Sequence, residues 1–222
     1  MRKVIAATFV SLDGVMQAPG GPDEDPTGSF KFGGWVAPYW DDAMGQALDE
    51  ILGIPFDLLL GRKTYEIFAA HWPYIEGGDP IAEKFNAVTK YVATNSLPEP
   101  LAWKNSVVLR GNVVAEVAKL KLEKGPNLLL QGSSVLIQTL LANDLIDEFN
   151  LMVFPLLFGS GKRLFGEGTM PVAFKLAGSK TSGTGVTMNT YLRDGAVRTG
   201  SFAPAEPSDV EIARRKKMLQ EG

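Results

Sequence analysis

Apolar and polar positions along the chain alternate between two periods. Residues 4–10 form a β-branched and apolar run closed by Asp13-Gly14, the pattern of a buried strand that ends in a turn. Residues 40–53 change to helical spacing, with Met44, Ala47, Leu48 and Ile51 on one side and Asp41 and Asp42 near the start, where acids suit the helix dipole. A short buried strand follows over 57–60; Gly61-Arg62-Lys63-Thr64 breaks it, and a helix restarts over 65–70 until Pro73. Further strands are expected over 90–94 and 106–109, a helix over 113–122 and a strand over 127–130. Gln131-Gly132-Ser133-Ser134 then makes a small-residue turn into a helix carrying Leu136, Leu140 and Leu141, and β character resumes over 147–157. Strands that alternate with helices predict an α/β fold, a mainly parallel sheet covered on both faces by right-handed crossovers. Residues 174–202 read as strands without intervening helices, which predicts an antiparallel hairpin or meander at the C-terminal edge.

Two segments stand apart from this alternation. Residues 15–34 carry Gly20, Gly21, Gly28, Gly33 and Gly34 with Pro19, Pro22 and Pro26, and a loop of this length in a compact domain is either a functional lid or disordered. Trp35 and Trp40 border it, placed to stack on a flat substrate or to anchor the loop by burial. Residues 208–220 read as a terminal helix, because Ser208-Asp209-Val210-Glu211 matches a capping box. The expected organisation is therefore one domain over 1–203 and a helical tail over 204–222. The tail's Arg214-Arg215-Lys216-Lys217 run reads as a solvated last turn, with a partner-binding patch as the alternative.

Composition removes several function classes. The 45% hydrophobic and 21% charged fractions are those of an ordinary globular chain, and a net charge of −3 argues against a nucleic-acid partner. With no cysteine and one histidine, disulfides, thiolate zinc sites, Cys nucleophiles and multi-His metal centres are all excluded, so no metal is expected. Redox chemistry here requires a bound cofactor. Arg2-Lys3 before a short apolar run reads as a strand start and not a signal peptide, and no segment approaches the roughly 20 apolar residues of a membrane span; a cytoplasmic protein without a membrane partner is expected.

The candidate chemistry lies in two glycine-bearing turns from strand to helix. Ligands of open α/β sheets sit beyond the carboxyl ends of strands, where helix N-termini offer free N–H groups to phosphate. Gly61-Arg62-Lys63-Thr64 adds two cations and a hydroxyl at one such end, and Gly132-Ser133-Ser134 allows close backbone approach at another. Taken singly, each is also an ordinary tight turn. The G-x-G-x-x-G turn of a Rossmann dehydrogenase and the G-x-x-x-x-G-K-[ST] phosphate loop are both absent.

Four motifs in order carry a resemblance: 11–14 (Ser-Leu-Asp-Gly), 60–66 (Leu-Gly-Arg-Lys-Thr-Tyr-Glu), 131–136 (Gln-Gly-Ser-Ser-Val-Leu) and 155–165, from Pro155 to Phe165. Together they resemble the reductase domain at the C-terminus of the bifunctional riboflavin-biosynthesis deaminase-reductase, itself similar to dihydrofolate reductase, over roughly residues 3–195 and most closely its stand-alone members. The resemblance implies a three-layer dihydrofolate-reductase-like fold and a homodimer. It also implies reduction of a pteridine- or ribosylaminopyrimidine-like small molecule with NADPH, as in 5-amino-6-(5-phosphoribosylamino)uracil reductase. The adenosine 2′-phosphate would lie near Arg62, Lys63 and Thr64, helped by Thr94, Asn95 and Ser96 after the third strand. The pyrophosphate would meet the N–H groups of Gly132, Ser133, Ser134, Val135 and Leu136, and Gly61 is a further candidate cofactor contact. The nicotinamide would approach Ala7 and the Asp13-Gly14 turn, closed by Phe158. Asp13 and Asp42 are the candidate catalytic acids, each with a plain alternative as turn residue or first-turn dipole partner, and Trp35, Trp40 and Phe158 the candidate substrate contacts. Dihydrofolate reductases carry an acid on the first helix facing the pterin; Asp41 and Asp42 lie a turn or more from that position, which argues against dihydrofolate itself. His71, alone before Trp72-Pro73, reads as structural. The alternative from another class is a catalytically weak nucleotide-binding sensor or scaffold.

Overall fold

The computed structural model describes residues 1–203 and 206–221. Eight strands form one sheet in the order β4-β3-β2-β5-β1-β6-β8-β7. The strands are β1 (Val4–Ser11), β2 (Phe56–Gly61), β3 (Lys90–Ala93), β4 (Ser106–Leu109), β5 (Asn127–Leu130), β6 (Glu148–Phe154), β7 (Ala173–Thr181) and β8 (Thr187–Gly195). The first six in that order run parallel, and β8 and β7 add an antiparallel edge. The helices are α1 (Asp42–Gly53), α2 (Arg62–Ala69), α3 (Pro80–Ala87), α4 (Val113–Leu122), α5 (Ser134–Ala142) and α6 (Asp209–Glu221).

Helices cover both faces, so the central strands bury both sets of alternating side chains. On β1, Val4, Ala6 and Val10 join the core with Val117 and Leu120 of α4 and Leu136, Ile137 and Leu140 of α5. Ile5 and Ala7 point the other way, to Leu52 of α1 and Phe85 of α3. A third cluster closes the β6–β8 end, where Met44, Ala47 and Trp35 pack on Phe154. Burial on both faces explains why β1, β2 and β5 read as apolar runs rather than alternations. It also explains the place of Arg2, which is buried at the base of β1, bonded to Asp57 Oδ2 at 2.5 Å and to the Pro126 carbonyl at 2.5 Å.

The α/β fold with a mainly parallel sheet and an antiparallel C-terminal edge is the expected one, and the differences are local. α1 starts at Asp42 because a short 3-10 turn occupies Ala37–Tyr39, and the Asp41 carboxylate accepts from Met44 N at 3.0 Å as the cap. α2 begins directly at Arg62, so residues 62–64 are its first turn and not a break before it. α3 was not anticipated; it is eight residues long and buries only Ala82 and Phe85, with Asp79-Pro80 as its start signal. β6 stops at Phe154 before Pro155, and residues 196–202 carry no strand. In α6 half of the capping box forms: Ser208 Oγ accepts from Glu211 N at 3.3 Å, while the Glu211 carboxylate turns to Arg214 and Arg215. The boundary expected between 203 and 204 meets the edge of the described residues, and 204, 205 and 222 lie outside them.

Lys90 on β3 is fully buried, its Nζ donating to the carbonyls of Asn86 (2.8 Å) and Lys104 (3.0 Å) and lying 4.5 Å from the Trp103 ring centre. Burial pushes its ammonium down to about 8 from 10.5. The unfolded chain therefore holds more protons between those two values, and stability rises with pH across that window. In urea denaturation the stability of wild type relative to Lys90→Met should grow from pH 8 to pH 10, by at most about 1.4 kcal/mol per pH unit. A constant difference would show that the ammonium titrates alike in both states.

Candidate active site

The site begins with a mismatch of strand lengths. β1 pairs with β6 over Ile5 to Ser11 but with β5 only over Val4 to Ala6, the last pair being Ala6↔Leu130. Beyond that pair the β5-facing edge of β1 has no strand neighbour. β5 and its other neighbour β2 both leave the sheet there and turn into α5 and α2, so two helix starts flank one gap. A cleft of about 1310 Å³ opens at this point.

The two turns fit into each other. A Cβ on Gly61 would sit 2.3 Å from Ser133 Oγ, and one on Gly132, which has φ +154°, would sit 2.6 Å from Thr64 Oγ1. Each glycine thus makes room for the other turn's hydroxyl. The Gly132-Ser133 peptide is cis. Neither α2 nor α5 has a side chain capping its first N–H groups, which leaves both positive helix ends available to an anion. Arg62, Lys63 and Ser133 to Leu136 line this arm of the cleft.

A second hollow of about 280 Å³ adjoins it, lined by Arg62, Thr94, Asn95, Ser96 and Gly111 among others. Thr94 Oγ1 accepts from Ser96 N and Leu97 N, both at 3.2 Å, and Asn95 Oδ1 from Gly111 N at 2.8 Å, which fixes its rim. Arg62 Nη1 donates to both Glu66 oxygens (2.8 and 3.1 Å) in an exposed pair of the kind that is easily exchanged for another anion. Lys63 has no ion-pair partner among the described residues.

The opposite arm is apolar. Leu48, Ile51 and Leu52 of α1, Phe68 and Trp72 at the far end of α2, and Ile81 and Phe85 of α3 line it. Over it runs the Gly/Pro-rich loop, held by Gln17: its Nε2 donates to the Asp25 and Thr27 carbonyls, both at 2.8 Å, and its Oε1 accepts from Lys162 N at 3.0 Å. Asp25 also pairs with the Lys162 ammonium. Glu24 Oε2 accepts from Gly20 N (2.6 Å) and Gly21 N (3.2 Å), and burial pushes its carboxyl up despite those bonds and the field of His71. Between the arms, Thr8 Oγ1 is buried and has no hydrogen-bond partner among the described residues.

The structure brings Ala7, Trp40, Gly61, Arg62, Lys63, Thr64, Gly132, Ser133, Ser134, Val135 and Leu136 together on the cleft, with Thr94, Asn95 and Ser96 in the adjoining hollow. The lining does not include Asp13, Gly14, Trp35, Asp42 or Phe158, and each has a physical reason. Asp13 accepts from Ser11 Oγ (2.6 Å), Gly159 N (2.8 Å) and Phe158 N (3.3 Å); the Ser11 bond above all holds its carboxyl below the ordinary value, so it is an ionised clamp on a turn. Gly14, at φ +78°, closes that turn. Trp35 is buried edge-on against Phe154, its Nε1 bonded to the Gln17 carbonyl at 2.8 Å. Asp42 is an exposed first residue of α1, while Asp41 caps the helix and also accepts from Gly183 N at 2.9 Å. Phe158 stacks on Phe32 and packs on Phe30 and Trp35. The cleft instead includes residues the sequence did not single out: Thr8, Gln17, Glu24, Asp25 and Lys162, together with His71, which had been read as structural. The acidic run Asp23-Glu24-Asp25 inside a glycine- and proline-rich loop was the signal for two of them. Among the described residues no group of three or more His, Asp or Glu could hold a metal, and no helix is long and apolar enough to cross a membrane.

A parallel sheet parted beside its first strand, with two uncapped helix starts on one arm and an apolar arm under a loop, defines a dihydrofolate-reductase-like α/β protein. The chain belongs to the RibD C-terminal domain family, whose model matches residues 2–188. It is similar to two uncharacterised Bacillus subtilis proteins. YyaP is 28% identical over 193 residues, covering 86% of this chain and 94% of that one, and YwjB is 34% identical over 136 residues, covering 61% and 72%. Among solved structures, a candidate riboflavin biosynthesis protein of Shewanella sp. PV-4 is similar with a TM-score of 0.60 at 26% identity, covering 86% of this chain and 99% of that one. A pyrimidine reductase-like protein of Corynebacterium diphtheriae has a TM-score of 0.56 at 11% identity, covering 89% and 93%. Enterococcus faecalis dihydrofolate reductase, complexed with NADP(H), has a TM-score of 0.55 at 16% identity, covering 86% and 96%, and shares the fold. Family and neighbours support a reductase-type function.

The interlocked turns give a direct test. Gly61 has φ −75°, open to any residue, so Gly61→Ala probes packing alone. It should destabilise the protein by about 1–3 kcal/mol in urea denaturation, and Ser133→Ala in the same chain should recover part of that loss. A neutral Gly61→Ala would mean that the turns do not meet as described.

Proposed function

We propose that the protein is an NADPH-dependent reductase of a small heterocycle, pteridine- or ribosylaminopyrimidine-like, acting as a cytoplasmic homodimer. The observation that carries this reading is that α2 and α5 begin side by side at one gap in the sheet. The start of α5, uncapped and led by Gly132, fits a pyrophosphate, because a side chain at that glycine would block close backbone approach. Arg62, with the hollow framed by Thr94, Asn95 and Ser96, fits a ribose 2′-phosphate, since a planar guanidinium and neutral donors bind a dianion well. The unpaired edge of β1 beyond Ala6 and the orphaned Thr8 hydroxyl offer polar partners to the nicotinamide end. Bound there, NADPH would supply a hydride. The residues of the chain would hold the two reactants face to face, and the loop over 19–25 would keep water from the apolar arm.

The cleft face of α1 presents Leu48, Ile51 and Leu52, so a pterin would find no carboxylate on that face of the helix. The same observation favours a second reading, nucleotide binding without efficient turnover. Stopped-flow oxidation of NADPH with dihydrofolate, pterins and aminopyrimidines separates the two, and binding without substrate-dependent oxidation across the panel would favour the second.

Arg62→Ala should weaken NADPH by about tenfold or more and NADH by under about threefold in calorimetric titrations, because only NADPH carries the 2′-phosphate. Equal losses for both cofactors would contradict the role of Arg62.

A further inference from the structure

The two ends of α2 face the cleft with opposite electrostatics. At its start, Arg62, Lys63 and the free N–H groups favour anions. At its end, about 12 Å away for eight residues at about 1.5 Å each, Phe68, His71 and Trp72 stand beside the negative end of the helix dipole, which favours a cation or a hydrogen-bond donor. The arm at that end is otherwise apolar; of the carboxylates that line the cleft, Glu66 is held by Arg62 and the others come from the loop above. Asp25 is occupied by Lys162 and Thr27, and Asp23 is exposed. Glu24 remains. Its Oε2 is fixed by the N–H groups of Gly20 and Gly21, while its Oε1 has no hydrogen-bond partner among the described residues.

The cations of the cleft are placed against a second phosphate. Arg62 pairs with Glu66 and Lys162 with Asp25, Lys63 stands at the anion-binding start of α2, and His71 alone lies at the apolar end. A phosphomonoester in this arm would face the Glu24 carboxylate and the carbonyl end of α2. Burial raises the Glu24 carboxyl, outweighing the two N–H bonds it accepts from Gly20 and Gly21.

We propose that the apolar arm takes an unphosphorylated aromatic heterocycle whose amino or protonated ring nitrogen donates to Glu24. The proposal rests on the reductase reading of the cleft and narrows its substrate to rings without a phosphate. Protein saturated with NADP⁺ is titrated with three probes, followed by tryptophan fluorescence: 2,4-diamino-5-benzylpyrimidine, its dioxo counterpart 5-benzyluracil, and the diamino compound phosphorylated on the benzyl ring. The diamino probe should bind about tenfold or more tighter than the dioxo probe, and the phosphate should weaken it by about tenfold. Glu24→Gln keeps an oxygen for Gly20 and Gly21, so the loop retains its bonds, yet the diamino preference should fall below about threefold. A preference that survives Glu24→Gln overturns the proposal. So does tighter binding of the phosphorylated probe, or failure of all three to bind protein that takes up NADP⁺. Failure to take up NADP⁺ at all overturns the cofactor reading beneath it.

Discussion

The early end of β5 against β1 is the constraint on which the rest of the molecule depends. A buried parallel strand satisfies its backbone through its neighbours, and β1 has a neighbour on both sides only as far as Ala6. From there one edge must find polar partners elsewhere, in a region whose walls are apolar. Because β5 and β2 are adjacent and both end there, their following helices start together and turn their unsatisfied N–H groups toward the same space. A hole in the sheet and a positive field at its rim thus arise from one choice of strand length.

The loops that complete the site are held by carboxylates aimed at backbone N–H groups. Asp13 grips the turn at Phe158 and Gly159, Asp41 ties α1 to the β7–β8 hairpin at Gly183, and Glu24 folds the loop onto Gly20 and Gly21. Charge-assisted bonds of this kind are stronger than neutral ones, and they add to the apolar anchors of the same loops, Val15, Ala18 and Phe30 among them. Asp13 and Asp41 are accordingly part of the frame, Asp42 beside Asp41 is exposed, and Glu24 also lines the cleft.

The central strands and most helices were legible because burial on both faces writes them as plain apolar runs separated by glycine turns. The family motifs at 60–66 and 131–136 marked the two turns that meet at the cleft for the same reason: close backbone approach leaves glycines in the sequence. What could not be read was side-chain direction at element ends. Trp35 and Trp40 look equivalent as aromatics beside a loop, yet one is buried on Phe154 and the other lines the cleft. Asp41 and Asp42 are adjacent and chemically identical, and only the start of the helix, set by Pro38 and the turn before it, decides which one caps. Thr8 lay hidden inside an apolar strand, where a lone hydroxyl looks like tolerated packing until its missing partner is known. The α3 helix escaped because it is short and half exposed, so its periodicity is weak.

The reciprocal fit of Gly61 with Ser133 and of Gly132 with Thr64 works like a mortise joint, each turn cut to receive the other. Neither side can be recarved alone, so the span between the two helix starts is a fixed dimension of the scaffold. An engineer wishing to retune what the cleft accepts would leave the joint intact and work on its surroundings, the rim at Thr94 to Ser96 and the loop carrying Glu24.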